Sequence, residues 1–196
     1  MKAGDAGLYD LLLHSRDRAY TVPELAEQVA GADLRIVSFI EPIRYDPAAF
    51  IGDPALAQKI DRMSWIDRCA FAELLTGNLK THVFYVVKSS NPSETIAGAN
   101  DEELRPVLMG LDPATAPAAL RSSGQLAVDF DGLKLSFPVS GLAIELLALM
   151  DGHRTIGEIR QAMASHAHPM NQQEFDQTFA QLFTLLNGLN LAFLKK

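Results

Sequence analysis

One cysteine in 196 residues, Cys69, excludes an internal disulfide and fits a reducing compartment. No stretch approaches the roughly 18 consecutive apolar residues that a bilayer-spanning helix needs. Met1 to Gly7 carries Asp5 and lacks a basic start before an apolar run, so it does not read as a secretory signal. Cytoplasm is the expected location, with no membrane partner. The thirteen glycines contain no G-x-G pair and no phosphate-cradling loop. That absence excludes a dinucleotide fingerprint and a P-loop within these residues. Positive charge is scarce too: 17 basic against 24 acidic residues give a net charge of −7. A protein that neutralises nucleic-acid phosphates needs the opposite balance, so nucleic acid is not expected as a partner.

Ligand clusters are equally sparse. His166 and His168 form the one close histidine pair, at a helix end where the dipole favours them, and no metal site is expected. His14 reads as a loop residue after a helix, and His82 as a structural residue opening a strand. Cys69 sits beside Ala70 and Phe71 on an amphipathic helix, where a thiol is a small core hydrophobe rather than a nucleophile. No catalytic residue is identifiable, and the chain alone is expected to be inactive.

What is present is clear punctuation. Thr21 and Glu24 form a capping box with Pro23 in the first turn, predicting a helix from Val22 to about Ala30, stopped at Gly31. Leu34 to Ile40 is apolar and β-rich, and Pro42 ends it. Asp53 and Ser64 open two further helices, the second running to Gly77, and Thr81 to Val87 reads as a second strand. Residues 89–124 change character, with Pro92, Pro106, Pro113 and Pro117; a linker is expected at 91–124, with a short helix over Asp101–Met109. Beyond it, Asp131-Gly132 marks a hairpin between Gln125–Phe130 and Leu133–Pro138. Three helices follow, over Leu142–Met150, from Thr155 to about His166, and from Asn171 to Gly188. Leu189–Leu194 reads as a closing strand. The phenylalanine-rich stripe of the last helix is core by spacing and also suits a docking surface.

Two stretches resemble known families. Asp10 to His14, Arg18 to Leu25, the strand ending at Glu41 and Pro42, Tyr45 to Pro47, and Ala72 to Asn78 running into Thr81–Tyr85 resemble the tail of a bacterial class I S-adenosylmethionine-dependent methyltransferase domain. Leu147 to Ile159, with Asp151, Gly152, Arg154, Thr155 and Glu158, resembles a phrase in winged-helix modules at the C-termini of such enzymes, including protein-lysine methyltransferases. A similar phrase occurs in small peptide-chaperone proteins of pyrroloquinoline quinone assembly.

The resemblance implies an α+β chain. Its first part, 1–90, would hold helices and the terminal antiparallel strand pair of an incomplete Rossmann-like sheet, and 125–196 would form a winged-helix-like domain. It implies S-adenosylmethionine as cofactor of a longer parent enzyme. Because the family's glycine-rich loop has no counterpart here, no cofactor and no cofactor-binding residue are expected for this chain itself. The connection at 42–80 would lie on the acceptor side, with Arg44, Tyr45, Trp65 and Arg68 forming part of the substrate-facing wall. Implied partners are a methyltransferase core or a protein or peptide substrate. The unpaired strand edges predict self-association, a homodimer being its simplest form. Two other readings stand beside this one: a non-enzymatic peptide-binding module and a winged-helix DNA-binding regulator, the latter disfavoured by the acidic balance.

Overall fold

Local capping chemistry sets most of the helix starts. The computed structural model describes residues 18–92 and 98–196; the Asp10–His14 run, with His14, lies outside them. Helix α1 (Val22–Gly31) begins where the Glu24 carboxylate accepts from the Thr21 N–H at 2.9 Å and the Thr21 hydroxyl at 3.0 Å. Strand β1 (Leu34–Phe39) follows, then two 3-10 turns (Pro42–Tyr45 and Pro47–Ala49), helices α2 (Pro54–Ile60) and α3 (Trp65–Thr76), and strand β2 (Phe84–Lys88). Ser64 caps α3 through its hydroxyl, and Gly77 ends it in the left-handed region at φ +61°. β1 and β2 pair antiparallel, from Leu34 opposite Lys88 to Phe39 opposite Phe84, with an irregularity between Ile36 and Ser38. The connection between them is a folded subassembly rather than a turn.

Residues 101–109 do not form the expected helix. They hold strand β3 (Arg105–Leu108), paired antiparallel with β6 (Ala192–Lys195). Pro106 biases Arg105 toward extended backbone. Met109 N–H donates to Leu191 O at 2.8 Å, which places Pro106 at a position where no ladder N–H is needed. The carbonyls of Glu102 and Leu104 accept from Gly157 and Ile156, so the segment also satisfies the first turn of the helix that starts there. Non-local partners outweigh a local helical preference.

Helix α4 (Ala116–Ser123) leads into the hairpin β4 (Gln125–Phe130) and β5 (Leu133–Pro138). Asp131 and Gly132 both take positive φ, 53° and 93°, the requirement of the two-residue turn that the Asp-Gly pair signals. Helices α5 (Gly141–Leu149), α6 (Ile156–Ala164) and α7 (Gln172–Gly188) complete the chain before β6. Capping boxes open α6 (Thr155 with Glu158) and α7 (Asn171 with Glu174). The described chain is thus mixed α+β, with seven α-helices and three two-stranded antiparallel sheets.

Two cores form. The larger gathers Leu146, Leu147, Ile159, Met163, Phe175, Phe179 and Leu186, together with Leu104 and Leu120 from the proline-rich stretch. Along α7, Phe175, Phe179 and Phe183 stack with centroids 5.6 and 6.1 Å apart. The smaller core holds Val22, Phe39, Tyr45 and Cys69, with Ile36, Ile66 and Phe84 against it. The cores meet at Arg44, which contacts the Glu41 carboxylate at 3.1 Å, the Asn78 carbonyl at 3.2 Å and the Asp131 carboxylate at 3.6 Å. Its guanidinium also lies 5.2 Å from the Phe130 ring centre, and Asn78 Nδ2 donates to Phe130 O. No helix among the described residues is long and apolar enough to cross a membrane.

Candidate functional site

The folded connection between β1 and β2 shapes a half-open cleft of about 240 Å³. Phe39, at the end of β1, Tyr45, on the first 3-10 turn, and Trp65, at the first position of α3, supply its aromatic walls. Phe39 and Tyr45 stack at 4.0 Å, and Trp65 lies 5.7 Å from Phe39. Three of the four residues expected on the substrate side, Tyr45, Trp65 and Arg68, line this one cleft. Arg44 does not: it turns toward the hairpin and joins the two cores. Val37, Ser38, Pro42, Asp46 and Cys69 complete the lining, and none of them was expected at a site from the sequence.

Arg68 stands out electrostatically. Its Nε is buried and has no hydrogen-bond partner, and no carboxylate or carbonyl among the described residues pairs with its guanidinium. Asp46 shares the cleft, but its Oδ1 accepts from the Ala48 N–H at 3.1 Å. Cys69 is inert chemistry: it is 1% exposed, and burial pushes its thiol up to about 12, against a smaller opposing pull from Arg68.

Behind the aromatic wall runs a relay that no spacing in the sequence announces. Tyr45 Oη lies 3.0 Å from His82 Nδ1, and His82 Nε2 lies 3.2 Å from Glu73 Oε1. Glu73 Oε2 accepts from the Val22 N–H at 2.9 Å, the first N–H of α1. Every group is satisfied when Tyr45 donates to Nδ1 and Nε2–H donates to the carboxylate. Burial raises the Tyr45 phenol to about 12, which keeps it a neutral donor and disqualifies it as a base near neutral pH. The relay holds the wall still; its residues are 37 and 9 positions apart and meet only through the fold.

Two larger depressions, about 530 and 740 Å³, run along α7 past Phe175, Phe179 and Phe183. Arg160, on the first of them, is paired with Glu102. The first sets Asn100, Glu102, Gln172 and Asp176 around the buried Phe175 and Phe179, and the second is mainly apolar, with Pro42, Ile43, Phe183 and Leu185. The chain matches no protein-family profile and no curated protein. His166 contacts Glu145 at 3.5 Å and stacks loosely near His168, but no group of three or more metal-ligating side chains forms among the described residues.

Proposed function

We propose that this chain is the substrate-recognition or regulatory portion of an S-adenosylmethionine-dependent methyltransferase, its C-terminal 125–196 acting as a winged-helix-like module. One observation carries the reading. The connection between two antiparallel strands, resembling the place where acceptors bind in that enzyme class, folds into a cleft with aromatic walls and an uncompensated arginine. Methyl transfer needs donor and acceptor held in line rather than a dedicated acid or base, so positioning surface is what such a portion contributes. Asp151 supports the second half of the resemblance: its Oδ1 accepts from the N–H groups of His153 and Arg154, both at 2.9 Å, and turns the chain into the Thr155 cap. The methyltransferase core is the partner this reading implies, and exposed Leu74, Val83 and Tyr85 give it apolar surface to cover.

In the complete enzyme, Trp65→Ala and Arg68→Ala should raise the KM for the methyl acceptor and leave S-adenosylmethionine affinity unchanged. A changed cofactor affinity with unchanged acceptor KM refutes the assignment. By calorimetry, the isolated chain should not bind S-adenosylmethionine; micromolar binding overturns it. The apolar depression beside Phe183 and Leu185 on α7 favours a second reading, a non-enzymatic protein- or peptide-binding module, which predicts that no fusion to a cofactor-binding half confers methyl transfer.

A further inference from the structure

We infer that the cleft beside α3 is a binding site for a planar aromatic monocarboxylate. The inference deepens the acceptor-side reading above and is testable without it. Three features point the same way. Trp65, 38% exposed, offers a flat apolar face beside the buried Phe39–Tyr45 stack, which favours a ring over an aliphatic chain. Arg68 lines the cleft with no protein carboxylate paired to it, and although its Nε is closed off from solvent, the terminal nitrogens of its guanidinium can take a carboxylate. Asp46 lines the same cleft and opposes any anion there in proportion to its charge, so a singly charged carboxylate is preferred to a doubly charged phosphate. At about 240 Å³ the space takes one ring and its acid group, not an extended ligand.

The wall is built to keep its shape. Tyr45 is held by His82, and His82 by Glu73, so the cleft does not depend on a ligand to organise it. The same chemistry comes from two sources, a free aromatic acid or the C-terminal phenylalanine of a peptide.

Trp65 is the single tryptophan and lies in the cleft, so its fluorescence reports occupancy directly. The full chain is titrated with phenylacetate, phenylacetamide, acetate and phenyl phosphate, and with a short peptide ending in phenylalanine, free or amidated. Phenylacetate or the free-acid peptide should give a saturable change, and whichever binds more tightly names the source. The neutral amides should bind about tenfold more weakly or worse, as should phenylacetate to Arg68→Gln. Arg68→Lys, which keeps the charge and loses the fork, should fall between. Far-UV circular dichroism confirms that the variants fold, and the acid–amide comparison in the unaltered chain needs no variant. Equal affinity for acid and amide, acetate as good as phenylacetate, tighter binding of the phosphate, or no saturable change with any probe overturns the inference. Because binding is read in this chain alone, aromatic-acid binding without any effect of the cleft on methyl transfer would sink the enzyme reading and leave this one intact.

Discussion

Removing the Glu73 side chain tests whether the buried relay holds the cleft together. Its two oxygens serve two donors: Val22 N–H at 2.9 Å, on a residue with 0% exposure, and His82 Nε2 at 3.2 Å. In Glu73→Ala both donors lose their acceptor where water has little access. An unsatisfied buried donor costs about 1–3 kcal/mol, and His82 can relax more than a helix N–H, so about 3 kcal/mol is expected in all. For a chain of this length that corresponds to a melting temperature lower by about 6–12 °C. Glu73→Gln should behave differently. Its oxygen can still accept from Val22, and its amide can donate to Nε2 once the histidine proton moves to Nδ1 and donates to Tyr45. Only the Tyr45 O–H then loses its acceptor, so the loss should be smaller than in the alanine variant, about 1–2 kcal/mol. Urea unfolding followed by Trp65 fluorescence reads the smaller core directly. If the alanine and glutamine variants are equally stable, and both match the unaltered chain, the relay does not hold the wall.

Cys69 should resist iodoacetamide in the folded chain at pH 8, because a thiol near 12 is ionised to only about one part in ten thousand there. Denaturant should restore the rate of an ordinary cysteine; fast labelling of the folded chain would refute the burial. Asp151 should give a pH-dependent effect. Burial alone would raise its carboxyl, but the N–H groups of Arg154 and His153 and the nearby Arg154 charge outweigh it and hold the group below its ordinary 3.8. The folded value being depressed, the stabilisation is complete above 3.8 and is lost as pH falls through the folded value. Asp151→Asn should therefore cost about 0.5–1 kcal/mol at neutral pH, with the deficit closing as pH falls below 3.8. A deficit independent of pH refutes the charge argument.

The sequence made local features legible and left the long-range ones hidden. Thr21 with Glu24, Thr155 with Glu158 and Asn171 with Glu174 fix helix starts through partners three residues away, and Asp131-Gly132 fixes a turn by its own backbone preference. β3 escaped because its partners are Ala192–Lys195 and the start of α6, which no local pattern encodes. Of the four residues expected on the substrate side, Tyr45, Trp65 and Arg68 meet in one cleft, while Arg44 is drawn away by Asp131, a residue 87 positions on that only the fold brings near. His82 reads in the sequence as a structural residue opening a strand, and its link to Tyr45 required the antiparallel return of β2.

Arg44 and Tyr45 are neighbours in the chain, yet one grips the hairpin and the other walls the cleft. The short 3-10 turn that carries both is therefore a shared hinge pin. Opening the smaller core pulls Arg44 off Asp131 and Phe130, and fraying the hairpin loosens the turn under Tyr45. The two cores consequently share part of their unfolding free energy, and amide exchange in β1 and in β4 should slow or quicken together.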